Sequence, residues 1–156
     1  MMKKMVTVGM LIMSLLFIVG CGNGGGTEKK YDTKVFVKET EGLSSEMTYY
    51  YIGDTVEKQS TKNVMSYDYL GVANEEAAKE RLEPIVKQYR ELEGMAHKID
   101  YQQDQLVEEL TITYADVDIE AAKNVPGITF EGDVSKGISM KKSEEMMLEN
   151  GYKLKE

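Results

Sequence analysis

The chain has 156 residues, 27 of them acidic and 19 basic, with a formal net charge of −8. So acidic a chain is a poor candidate for nucleic acid, whose phosphates select Lys/Arg patches. A single histidine, His97, and a single cysteine, Cys21, exclude an intrachain disulfide, a multi-histidine metal site and a zinc site of the Cys/His type. No cofactor or metal is expected.

The chain opens with Lys3 and Lys4, then runs uncharged from Met5 to Val19. That run is shorter than the roughly 20 residues a helix needs to cross a bilayer core, and it fits a removable secretory leader. Ile18-Val19-Gly20-Cys21 resembles the lipobox of bacterial lipoproteins. The thiol is the nucleophile that receives a diacylglyceryl group, and the small residue before it admits the peptidase to the Gly20–Cys21 bond. Residues 1–20 are therefore expected to be the signal peptide and Cys21 the lipidated first residue of the mature chain. Burial of acyl chains contributes about 0.8 kcal/mol per methylene, and two chains suffice for stable anchoring. Loss of Lys3 and Lys4 leaves the mature chain more acidic still, so lipid rather than surface charge must hold it at anionic headgroups. The plainer alternative, a buried cysteine ending an uncleaved helix, is disfavoured by the length of the run. The expected place is the extracytoplasmic face of the cell membrane. The stretch Met13 to Gly20 also resembles signal-derived peptide pheromones, although any lipoprotein leader shares that look.

Residues 21–33 read as a tether. Gly22 to Thr27 is glycine-rich, and a dozen flexible positions reach roughly 20 Å root-mean-square. Residues 34–156 suit one globular domain with one core. Val35-Phe36-Val37 begins a strand, Glu41 to Ser45 a turn, and Glu46 to Ile52 a second strand. Gly53-Asp54 supplies a two-residue hairpin loop of the glycine-first kind, and Thr55 runs on toward Leu70 as a long third strand. Asn74-Glu75-Glu76 starts a helix by capping and charge. Ala78, Leu82, Ile85, Val86, Tyr89 and Leu92 follow at helical spacing, and Gly94 ends it. Pro84 predicts a kink or a fresh start within this helix.

Met95 to Tyr101 alternates cleanly, with Met95, His97, Ile99 and Tyr101 on one face. Leu106, Glu108, Leu110, Ile112 and Tyr114 line its partner strand. Setting Tyr101 opposite Leu106, Ile99 opposite Glu108 and Lys98 opposite Glu109 puts both apolar rows on one side. Asp116 or Asp118 caps a short helix through Lys123, and Ser143 a last one through Glu149. Tyr51-x-x-Asp54-x-Val56 and Tyr101-x-x-Asp104-x-Leu106 echo each other, either as an internal ββα repeat or as shared turn chemistry. The fold class expected is α+β: an antiparallel sheet of about five strands from hairpins, with one long and two short helices packed on it.

The lipobox, the glycine-rich tether, the hairpin Thr48 to Asp54, the helix containing Pro84 and the second hairpin at Tyr101–Asp104 together resemble the YehR-like family of small bacterial lipoproteins. The resemblance implies an α+β fold with an antiparallel sheet and carries no activity onto particular residues.

Chemistry is sparse. His97 lies on the face of Met95 and Ile99, which favours a hydrogen-bonded core residue. A diagonal neighbour, Glu108, is within reach of it and would make a general base, yet the sequence supplies no nucleophile for that base. Ser139-Met140-Lys141-Lys142 matches the Ser-x-x-Lys pattern of penicillin-recognising enzymes without their companion motifs, so coincidence is favoured. Asp116/Asp118 and Glu144/Glu145 are better explained by helix capping than by a cation. Tyrosine is large, stiff and polar-tipped, which suits contact surfaces, and Tyr50, Tyr67 and Tyr69 form the candidate binding face. The leading expectation is a non-enzymatic, lipid-anchored module binding an envelope protein, a polymer or a small ligand. The alternative is a small cell-envelope hydrolase using His97 and Glu108. A transporter's substrate receptor ranks last, because two-lobed receptors are far longer. A pocket with a polar floor would favour a small ligand, and a flat aromatic patch a protein partner.

Overall fold

The computed structural model describes residues 30–126, 128 and 137–156. The leader, Gly20, Cys21 and the glycine-rich tether lie outside the described residues. The elements run β1 (Asp32–Thr40), β2 (Leu43–Ile52), β3 (Thr55–Ser66), α1 (Glu75–Glu91), β4 (Met95–Tyr101), β5 (Gln105–Thr113), α2 (Ile119–Ala122), β6 (Ile138–Ser139), α3 (Met140–Glu149) and β7 (Lys153–Leu154). Strand order across the sheet is β4-β5-β3-β2-β1-β7, with β6 added to β3. Every pairing is antiparallel. Among the described residues no helix is long and apolar enough to cross a membrane.

The α+β class with one long helix is as expected, but the sheet has seven strands rather than about five. The two unforeseen strands, β6 and β7, have two residues each, too few to leave an alternation. The turn expected over Glu41 to Ser45 shrinks to Glu41-Gly42, because Leu43 pairs with both Thr40 and Met65. Gly53-Asp54 is a two-residue loop closed by the Ile52–Thr55 pair. Gly53 has φ 62°, and among the described residues none other than glycine has positive φ, which fits the glycine-first type II′ turn.

Helix α1 is capped by Asn74, whose side chain accepts from the Ala77 N–H at 3.0 Å. It continues unbroken through Pro84, with no fresh start. Pro84 is exposed, so water can reach the carbonyl that its missing N–H leaves unbonded. Helix α3 starts earlier than expected. Its cap is Ser139, accepting from the Lys142 N–H at 3.3 Å, and Ser143 is a buried residue inside the helix. Asp54 fixes that start by accepting from the Ser139 hydroxyl at 2.8 Å and the Lys141 N–H at 2.9 Å. The structure does not show a ββα repeat. A 17-residue helix follows β3, whereas only four helical residues follow β5.

The β4–β5 register is the one the alternation predicts: Tyr101 faces Leu106, Ile99 faces Glu108 and Lys98 faces Glu109. Helices α1, α2 and α3 all cover the sheet face that carries Phe36, Tyr49, Leu106 and Ile112. On the opposite face Lys62 stands beside Glu46 and Glu109, and Glu109 beside Lys98. Cross-strand pairs of opposite charge contribute roughly 0.2–1 kcal/mol each and keep that face wet.

The core beneath the helices is divided. One cluster joins Phe36, Tyr49 and Val56 to Met140 and Met147 of α3. A second joins Leu106 to Tyr67 and Ala78, and a third joins Ile112 to Val117 and Ala122. Between them runs the middle of β3, where the inward residues Gln59, Thr61 and Asn63 are polar, while Val56 and Met65 toward its two ends join the core. A strand paired on both sides usually carries apolar residues inward. Here it does not, and the helices leave a gap above it.

Candidate functional site

That gap is a cleft of about 590 Å³, within the range of small-molecule sites. Gln59, Thr61, Asn63 and Glu108 form its polar floor, and Tyr49, Tyr89, Tyr114, Tyr152 and Met146 and Met147 of α3 contribute to its walls. Strand pairing explains the floor. Ser45, Asn63 and Glu108 stand side by side on neighbouring strands, so their side chains meet in one row on the inner face.

The row is hydrogen-bonded end to end. The Ser45 hydroxyl donates to Asn63 Oδ1 at 2.6 Å and lies 3.0 Å from the Tyr152 hydroxyl. Asn63 Nδ2 donates to Glu108 Oε2 at 2.9 Å. Glu108 Oε1 is 2.9 Å from His97 Nε2. His97 is fully covered while 20% of the Glu108 side chain is exposed, and the imidazole lies against the Tyr89 ring with centroids 4.7 Å apart. Among the described residues His97 Nδ1 has no hydrogen-bond partner. Burial pushes the Glu108 carboxyl up, but hydrogen bonds from His97 and Asn63 more than offset it and leave it below the usual carboxylate range. It is therefore a carboxylate at neutral pH, and His97 Nε2 must donate to it. Burial, with the Glu108 charge behind it, pushes the Tyr89 phenol up to about 12. Burial likewise raises Tyr49 and Tyr114.

The other predicted side chains are scattered. Tyr67 is buried, 5% exposed, with its hydroxyl donating to the Gln102 carbonyl at 2.5 Å. Tyr69 is 48% exposed and its backbone N–H bonds to Ser66 at the far end of β3. Tyr50 lies toward the other end of the sheet, under the Lys58 ammonium at 4.2 Å and edge-on to Tyr31. Seven positions of strand, about 23 Å, separate Leu43 from Tyr50. The proposed face of Tyr50, Tyr67 and Tyr69 is thus not one surface. Strand alternation predicts which face a tyrosine takes, and Tyr67 and Tyr69 lie beyond the last strand residue, Ser66, where alternation no longer applies. Ser139 is engaged as a helix cap, and no group of three or more acidic, histidine or cysteine side chains fit to hold a metal occurs among the described residues.

Gln59, Thr61, Asn63 and Ser45 escaped the sequence reading. The signal was present, since Glu57 to Asn63 is polar at both alternating sets of positions. It acquires meaning only once β3 is known to be central.

The family model described as Protein of unknown function (DUF1307) matches residues 32–153. The chain belongs to the DUF1307 family. Among curated relatives, the uncharacterized lipoprotein Lmo0207 of Listeria monocytogenes is 36% identical over 153 residues, covering 98% of this chain and 96% of the relative. The uncharacterized lipoprotein YehR of Escherichia coli is 31% identical over 151 residues, covering 96% of this chain and 93% of the relative. The NMR structure of E. coli YehR matches the DUF1307 fold described above with a TM-score of 0.71 and 31% identity, covering 82% of this chain and 93% of that one. The resemblance to YehR-like lipoproteins read from the lipobox and hairpins holds.

Proposed function

We propose that this DUF1307 chain is a membrane-anchored lipoprotein that binds a small ligand in the cleft above β3. The anchor is a diacylglyceryl group on Cys21, exposed after cleavage at Gly20–Cys21, and the domain works on the extracytoplasmic face. Supporting this are the Ile18-Val19-Gly20-Cys21 pattern and the lipoprotein names of relatives matched along nearly the whole chain. Replacing Cys21 with serine moves the protein from the detergent phase to the aqueous phase in Triton X-114 partition. Partition unchanged from wild type overturns the anchor.

The observation that carries the binding role is the inward polar row of β3. Hydrophilic side chains at the centre of a sheet cost stability unless they are satisfied, and a protein needing only a core would place valine or isoleucine there. Thr61→Phe, which fills the cleft from its floor, should leave the fold intact and abolish thermal-shift responses to any ligand recovered by screening. Responses that survive the filled cleft overturn this reading.

A hydrolase built on the 2.9 Å His97–Glu108 pair is the second reading. A general base must reach the proton it takes. Here the imidazole is fully covered, and the nearest hydroxyl in the row, Ser45, is connected to it only through Asn63 and Glu108. A binding module fits that arrangement better. Full activity of His97→Ala on any substrate found disposes of the second reading.

A further inference from the structure

We infer that the ligand of the cleft is a small organic cation, an amine or methylated ammonium with an apolar body, whose charge sits against Glu108 among the tyrosine rings. The inference rests on the cleft being a binding site. Its ground is the juxtaposition of one carboxylate with four aromatic walls. Two charged side chains, Lys38 and Glu108, line the cleft among the described residues. They are three strands apart along the paired row Lys38–Ser45–Asn63–Glu108, about 14 Å at the backbone.

Lys38 is already committed. Its ammonium donates to the Asn150 carbonyl at 2.9 Å and lies 5.5 Å from the centroid of the Tyr152 ring. The protein's own cation thus shows how a tyrosine of this cleft receives an ammonium.

At the other end, among the described residues, no Lys or Arg lines the cleft beside the carboxylate. Each Glu108 oxygen accepts one hydrogen bond, from His97 Nε2 or Asn63 Nδ2, and a carboxylate oxygen can accept two. The exposed fifth of the side chain faces the cleft. Aromatic faces attract cations by about 0.5–2 kcal/mol per good contact when desolvated, and the acidic surface raises the local concentration of cations. An anionic ligand would meet the carboxylate head-on. A neutral one would gain neither the ion pair nor the cation–ring attraction.

The test is calorimetric titration of the detergent-solubilised full chain with phenethylamine, its neutral isostere 2-phenylethanol and the anion phenylacetate. The expected result is that the amine binds at least tenfold more tightly than the alcohol and that phenylacetate does not bind. Glu108→Gln should then remove the amine's advantage, bringing its affinity to that of the alcohol. Lys38→Gln, which leaves Glu108 in place, should retain the amine preference. Equal binding of amine and alcohol, or preference for phenylacetate, abolished in Thr61→Phe, overturns the cation assignment and leaves the cleft reading standing. No binding by any probe overturns the cation assignment. Binding that Thr61→Phe does not change overturns both.

Discussion

Removing the Glu108 carboxylate should destabilise the fold in a way that reports its protonation. Glu108→Leu leaves His97 Nε2 and Asn63 Nδ2, each 2.9 Å from a carboxylate oxygen, without an acceptor under a largely buried surface. Hydrogen bonds to a charged group contribute about 1.5–3 kcal/mol each, and stripping one partner from a buried pair costs about 3–5 kcal/mol. Because the side chain is one-fifth exposed, the lower end applies, about 3 kcal/mol. For a domain of this size that lowers Tm by roughly 10–15 °C. Glu108→Gln should cost less, about 1–2 kcal/mol. Asn63 can turn its amide over, with the Ser45 hydroxyl redirected to Tyr152, and so still meet the glutamine with an acceptor. The folded-state carboxyl lies below its ordinary value. Its contribution is therefore fully present above the ordinary carboxylate range and lost as pH falls through the folded-state value. Urea unfolding from pH 7 down to pH 3 should show the gap between wild type and Glu108→Gln closing at the acid end. A gap that is constant across that range, or a cost for Glu108→Leu below about 1 kcal/mol, would refute the account of the row.

Gly94 has φ 77°, and a Cβ there would stand 2.6 Å from the Val117 backbone N and 2.8 Å from the Asp116 carbonyl carbon. Gly94→Ala should cost at least about 2 kcal/mol by urea denaturation, combining the left-handed penalty with a backbone clash. Ser139→Ala removes the α3 cap and the contact to Asp54, and should cost about 1 kcal/mol, read as a lower Tm with unchanged secondary structure by circular dichroism. The Tyr89 phenol is held near 12, above its ordinary value near 10. Its contribution is full below pH 10 and lost as pH rises through 12. Tyr89→Phe, which also forfeits the 2.8 Å bond to the Pro126 carbonyl, should flatten the alkaline limb of stability in a calorimetric pH series.

Local rules carried the elements furthest. The Met95–Tyr101 and Leu106–Tyr114 alternations fixed their shared register, because shifting one strand by a residue would turn its apolar side to water. The same register brought His97 and Glu108 within side-chain reach before any coordinates. Asn74 and the glycine of the Gly53-Asp54 loop worked similarly, since capping and positive φ are properties of the chain within a few residues. Pro84 did not start the helix afresh, because the cost of a proline in a helix is set partly by whether its surroundings are solvated, and here they are. Ser139 was passed over as the cap of α3 because its role depends on Asp54, 85 positions earlier.

What this sequence determined alone is what short-range chemistry encodes: the leader-like run ending in Cys21, the two hairpins, the long helix and the facing of β4 against β5. Only the tertiary structure decided that β3 is a central strand, that its polar side chains therefore floor a cleft rather than face water at an edge, and that Tyr67 is buried away from Tyr50. The reason is that polarity is a local property whereas burial is not. A glutamine, a threonine and an asparagine read as surface until strands on both sides and helices around the rim set them, half-buried, at the floor of a cleft.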